Sequence, residues 1–207
     1  IDSDVELYQY HSGAPKSDAY ALASSELIDS VNMLLKEVDM EPLEIESIER
    51  PVVVIQEGRQ KMIPAYTKSL LMQARTNSNI VALNADLVLD TGLIPFKSEF
   101  PERFVECGIA EQDMVSQAGG MALRGIIPIV HSFACFLSSR PNEQIYNNAT
   151  ELSKIVYVGS LAGLIPAGPG HSHQAVRDIA SLSAVPGLIL IEPCCELEIE
   201  LLLDWSI

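Results

Sequence analysis

From residue 61 onward, short apolar runs alternate with longer stretches in which apolar positions recur every three or four residues. The runs at 79–86 (NIVALNAD), 104–106, 126–131, 155–159 and 188–191 predict buried strands. Between them, periodic stretches at 62–75, 111–124, 136–151, 174–184 and 196–205 predict helices. Strands separated by helices of this length imply right-handed crossovers. The expected fold is therefore α/β, a doubly wound, mainly parallel sheet with helices on both faces. In such sheets ligands lie outside the carboxyl ends of the strands, so chemistry is sought just after each run.

The first sixty residues have a different rhythm. A turn-like YHSGAPKS at 10–17 leads into a helical pattern over 20–35, for which Ser17 or Asp18 is a candidate cap. An acidic connector follows at 37–60, with Glu37, Asp39, Glu41, Glu44, Glu46 and Glu49 grouped around Pro42. RPVVVIQ at 50–56 is a candidate short strand at its end. The sequence starts at Ile1 rather than Met and stops at Ile207 inside a helical pattern, as expected of a segment of a longer protein.

Composition narrows the function classes. A length of 207 residues suits one α/β domain with an appendage, and a hydrophobic fraction of 48% suits a sheet covered on both faces. The balance of 13 basic against 28 acidic residues gives a net charge of −15, which repels phosphate backbones and anionic lipid. Nucleic acid and membrane surfaces are therefore not the expected partners. The longest apolar stretch, 119–137, is broken by Arg124 and His131 and is too interrupted for a membrane span. Cys107, Cys135, Cys194 and Cys195 show no CxxC spacing and read as free thiols in a reducing, cytoplasmic setting. There is no GxGxxG, GKS/T or HExxH, so a phosphate-cradling glycine loop is not expected here.

The strand ends carry a short set of polar and aromatic groups. Asp86 follows the first run, and Glu111 opens the helix after the second. His131, Phe133 and Phe136 follow the third, and a Gly/Pro-rich loop with His171 and His173 follows the fourth. Glu111 has two readings: a first-turn carboxylate favoured by the helix dipole, or a ligand group in a cleft. Phe133 and Phe136 are core packing, or an aromatic shelf suited to a flat heterocycle with a basic ring nitrogen. His131 lines the cleft or is a plain strand-end polar residue, while Arg140 reads mainly as a solvated helix position.

The stretches PERFVECGIAEQDMVSQAGGMALRG, FACFLSSRPNEQI and GPGHSHQAVRDIASLSAVPGLILIEP together resemble the pyrimidine-binding domain of transketolases. More distantly they are similar to deoxyxylulose-phosphate synthases and the beta chains of 2-oxoacid dehydrogenases. The likeness runs from about 61 to 193. It implies a thiamine-diphosphate-binding fold over 61–207, with 1–36 as the tail of a preceding diphosphate-binding domain and 37–60 as an acidic linker. It further implies that Glu111 shares a proton with N1′ of the thiamine diphosphate aminopyrimidine, which activates the thiazolium carbon. Phe133 and Phe136 then pack on the ring, Asp86 stands near the thiazolium, and His173 contacts substrate carbonyl and hydroxyl groups.

Two departures qualify the resemblance. Leu161 and Pro169 stand where transketolases usually carry a histidine and an aspartate that grip the hydroxyls of a ketose phosphate. The GDG…N signature for Mg2+ and diphosphate is absent from the sequence, so a partner domain is expected to bind both. The implied assembly is a homodimer of a longer chain or a split heterotetramer, acting on a small sugar or keto substrate. The implied activity is transfer of a two-carbon ketol unit, in carbohydrate metabolism. An acyloin synthase or a 2-oxoacid dehydrogenase beta-type component is the enzymatic alternative, and a non-catalytic scaffold or regulatory module is the alternative of another class.

Overall fold

The computed structural model describes residues 16–45, 61–164 and 170–207. The candidate strand at 50–56 and Pro169 lie outside the described residues. The chain forms two compact units, Ile1–Glu57 and Gly58–Ile207.

In the first unit, α1 spans Ser17–Glu37 and buries none of its residues. Lys16 occupies the N-cap position without a side-chain cap bond, so neither Ser17 nor Asp18 caps the helix. Asp18 in the first turn and Lys36 in the last complement the helix dipole instead. After the helix, the Leu43 N–H donates to Asn32 Oδ1 at 2.7 Å.

Among the described residues the second unit is built on four parallel strands, β1 (Ile80–Asn84), β2 (Phe104–Glu106), β3 (Ile127–Phe133) and β4 (Val156–Ser160), in the order β2-β1-β3-β4. The chain moves to one side of β1 to lay down β2 and then crosses back to lay down β3 and β4. This reversal is a topological switch, and all four carboxyl ends lie on one edge of the sheet. Central β1 and β3 are largely buried, whereas flanking β2 and β4 are mostly half-buried.

Strand alternation sorts the core onto two faces. Ile80, Ala82 and Ile129 meet Tyr66, Leu70 and Ala74 of α2 (Met62–Thr76), Phe96 of α3 (Ile94–Glu99), and Ile199 and Leu203 of α8 (Glu196–Ser206). Leu83 and Val130 meet Met114, Val115 and Ala118 of α4 (Glu111–Ala122), Leu137 of α5 (Ala134–Leu137) and Ile145 of α6 (Asn142–Thr150). Each fully buried aliphatic side chain of this kind stabilises the fold by roughly 1.5–3 kcal/mol. Helices thus cover both faces of a parallel sheet, the doubly wound arrangement that the alternation predicts.

Three elements differ from the sequence expectation. Residues 188–191 form no strand, and Ile189, Leu190 and Ile191 are exposed. An apolar run becomes a strand only where a neighbour accepts its hydrogen bonds, and among the described residues the sheet ends at β4. The helix expected over 136–151 is two helices, α5 and α6, because Pro141 stops the first and stands at the N-cap of the second. The helix expected over 174–184 contracts to α7, Asp178–Leu182.

His131 is not at the strand end. It lies within β3, fully buried. Its Nδ1 is 3.0 Å from the Leu83 carbonyl oxygen and its Nε2 is 2.6 Å from Tyr66 Oη. A carbonyl only accepts, so Nδ1 carries the proton and Nε2 accepts from the Tyr66 hydroxyl. Burial pushes the imidazole pKa down to about 4 and raises that of Tyr66. The unfolded chain therefore takes up a proton on this residue below pH about 6.5 that the folded chain refuses until about 4. Stability is expected to fall across that window by up to about 3 kcal/mol as pH drops. Melting curves between pH 5 and 6.5 check this, since His131→Gln must flatten the slope there.

Candidate active site

The cleft at the carboxyl edge of the sheet begins with a turn that Glu106, the last residue of β2, holds in shape. Its Oε1 accepts the N–H of Asp86 at 2.8 Å and of Gly108 at 3.1 Å, and its Oε2 accepts Asn84 Nδ2 at 2.7 Å. Gly108 adopts φ +68°, a region that suits glycine, and turns the chain toward α4. Nothing in the sequence around Glu106 marks this role, which arises only when the fold brings Asn84, Asp86 and Gly108 to it. Between them, burial and the Asp113 and Glu106 carboxylates push the Cys107 thiol up to about 11, which makes it a poor nucleophile at neutral pH.

Glu111 is the first residue of α4 and only 3% exposed. A buried carboxylate needs a compensating partner. Glu111 finds it in Arg140, whose Nη1 donates to Oε1 at 2.5 Å. Arg140 lies in the turn between α5 and α6, anchored by its N–H to the Phe136 carbonyl at 2.9 Å. The break at Pro141 removes Arg140 from the solvated helix face expected for it. Its guanidinium carbon stands 3.8 Å from the centroid of the Phe136 ring, within reach of a cation–π contact. Ile109, Ala110, Glu111, Gln112 and Arg140 line a cavity of about 270 Å³.

The aromatic pair sits where β3 passes into α5. Phe133 ends the strand and Phe136 lies in the short helix, with ring centroids 5.9 Å apart. His173 closes a short 3-10 turn, His171–His173, and meets Phe136 edge-on at 5.1 Å and Phe133 at 6.0 Å. Its Nδ1 is 2.9 Å from Ser172 Oγ. Gly159 of β4 backs this shelf, because a Cβ there would lie 3.0 Å from Ala134 Cα and 3.1 Å from its Cβ.

Four residues picked out from the sequence, Glu111, Phe133, Phe136 and His173, thus form one connected group, with Arg140 linking the carboxylate to the rings. Asp86 is joined instead to Glu106 at the end of β1, exposed and with φ +57°. Leu161 follows β4, half-buried and also at φ +57°.

Residues 60–207 match the family model described as transketolase, pyrimidine binding domain, and the chain belongs to that family. It is 31% identical over 143 residues to 1-deoxy-D-xylulose-5-phosphate synthase of Clostridium acetobutylicum, covering 69% of this chain and 23% of that protein. It is 34% identical over 143 residues to the protein of the same name from Treponema pallidum, covering 69% and 22%. Among solved structures, a split gene transketolase described as an inactive beta4 tetramer superposes with a TM-score of 0.60 at 31% identity, over 69% of this chain and 46% of that one. Transketolase from Leishmania mexicana gives 0.64 at 22% identity, over 69% and 22%, a likeness of fold. The chain spans under a quarter of the length of these curated relatives.

Proposed function

We propose that this chain is the pyrimidine-binding part of a thiamine-diphosphate-dependent enzyme that transfers a two-carbon ketol unit. The observation that carries the reading is a buried carboxylate, Glu111, already holding a planar cation over the face of Phe136. A carboxylate acceptor beside an aromatic face that takes a guanidinium in this way also fits a protonated aminopyrimidine, which is flat, cationic and bears in-plane N–H groups. When bound, thiamine diphosphate supplies a thiazolium carbon that takes up and passes on the two-carbon unit.

Each side chain then has a task. Glu111 Oε1 hydrogen-bonds N1′ and shares its proton, a role that water exclusion at this position favours. Phe133 and Phe136 pack against the ring and orient it. His173, with Nδ1 engaged by Ser172, holds or moves a proton at Nε2 beside substrate carbonyl and hydroxyl groups. Asp86, at the end of β1, would stand near the thiazolium of the bound cofactor. Mg2+ and the diphosphate are held by a partner domain or subunit, with 1–36 as the tail of a preceding diphosphate-binding domain and 37–60 as the linker. A homodimer or a split heterotetramer in the cytoplasm supplies that partner. The split gene transketolase among the structural relatives supports such a division of the enzyme.

Leu161 favours a second reading of the donor. Leu161 follows β4 at the carboxyl edge of the sheet, the edge that carries the aromatic pair. It offers no hydrogen bond to a donor hydroxyl, so a methyl-ended keto donor such as pyruvate suits it better than a ketose phosphate. The test is to reconstitute the chain with a diphosphate-binding partner and compare the two donors. On this second reading pyruvate, which loses CO2 and passes on a hydroxyethyl unit, is used roughly tenfold or more faster than xylulose 5-phosphate, whereas ketol transfer gives the opposite order. Ketose-phosphate turnover equal to or above that with pyruvate overturns the donor assignment, and no turnover with either supports the scaffold alternative.

A further inference from the structure

Arg140 is not used in the reaction just described, yet it makes both contacts that the cofactor ring would make. Its Nη1 donates to Glu111 Oε1 at 2.5 Å, and its guanidinium carbon lies 3.8 Å from the Phe136 centroid. A guanidinium and a protonated aminopyrimidine share three properties: flatness, positive charge and N–H groups in the plane. While one covers that face of Phe136, the other cannot. Glu111, at 3% exposure, is held in a place where a carboxylate is unfavourable without a partner. It will exchange one planar cation for another rather than stand bare.

The position of Arg140 permits the exchange. It lies in a turn, not in a helix, and its side chain is 40% exposed beside a cavity of about 270 Å³. Side-chain torsions alone can carry the guanidinium outward while the backbone bond to Phe136 stays in place. We infer that Arg140 is an internal stand-in for the aminopyrimidine, keeping Glu111 paired and Phe136 covered until the cofactor displaces it. This rests on the reading of Glu111 as the ring-binding carboxylate. Two consequences follow. The apparent cofactor affinity is lowered by the fraction of molecules in which Arg140 is swung in. Cofactor association also reaches a ceiling set by the rate at which Arg140 leaves.

The experiment uses the complete assembly, this chain with its diphosphate-binding partner, titrated with thiamine diphosphate and Mg2+ by calorimetry and stopped-flow. Arg140→Met keeps the apolar stem and removes the guanidinium. It is expected to lower the Kd roughly three- to tenfold and to abolish the plateau in association rate. Should that variant not fold, Arg140→Gln carries the same test, since a neutral amide neither balances the Glu111 charge nor places a cation over Phe136. Weaker or unchanged binding in the folded variants overturns the stand-in. Glu111→Gln separates the two ideas. If it loses turnover while the Arg140 variants bind no tighter, only the stand-in falls. If it leaves affinity and turnover intact, the underlying reading of Glu111 falls with it.

Discussion

Glutamine at position 111 will cut turnover by roughly 10²- to 10⁴-fold in the complete assembly. The substitution keeps the shape of the side chain and its capacity to meet Arg140, so the cleft should stay folded. What it removes is the carboxylate oxygen that can take and return a proton. The site is 3% exposed, and bulk water is poorly placed to substitute for the missing group. Steady-state kinetics with saturating cofactor read the loss in kcat, and a melting curve confirms that the fold survives. A glutamine variant within tenfold of the parent would mean that Glu111 serves only to pair with Arg140.

Valine at position 159 will destabilise the Gly58–Ile207 unit by about 2–3 kcal/mol, more than most single substitutions. Its Cβ would be crowded, with Ala134 Cα and Cβ at 3.0 and 3.1 Å, and the obstacle is backbone rather than a flexible side-chain tip. Relief requires α5 to move away from β4, and α5 carries Phe136 while its N-cap is Phe133. Loss of stability should therefore be accompanied by weaker cofactor binding even where enough folded protein remains to measure it. Alanine at the same place should give a smaller effect of the same kind. Denaturant titration and calorimetry on both variants check the grading. Parent-like stability in the valine variant would show that the sheet and α5 can separate freely.

Much of this architecture was legible in the sequence because local pattern and tertiary environment agree. The runs NIVALNAD and PIVHSF are apolar enough to demand cover on both faces, and β1 and β3 are the central strands. Where the two part company, the pattern misleads. Residues 188–191 have the composition of a strand but no partner edge, so the apolar side chains stay in solvent. Arg140 is hidden because the helical periodicity of 136–151 continues across Pro141, whereas the chain turns there and the Arg140 side chain meets Glu111. His131 was ambiguous because a polar residue near a strand end serves a cleft or a core equally well. Only the positions of Tyr66 and Leu83 decide for the core. Glu106 could not be singled out, since its importance lies in three donors brought to it by two strands and a turn.

The chain of contacts through His131 has a polarity. Tyr66 hands its hydroxyl hydrogen to the imidazole, and the imidazole hands its own to Leu83, so α2, β3 and β1 are keyed together in a single direction. A slip of β3 by one position would present Val130 or Ser132 to Tyr66, and neither can both receive from a phenol and give to a carbonyl across that span. The same strand ends at Phe133. An interior pin two residues below the rim thus sets the height at which the first aromatic ring emerges from the sheet.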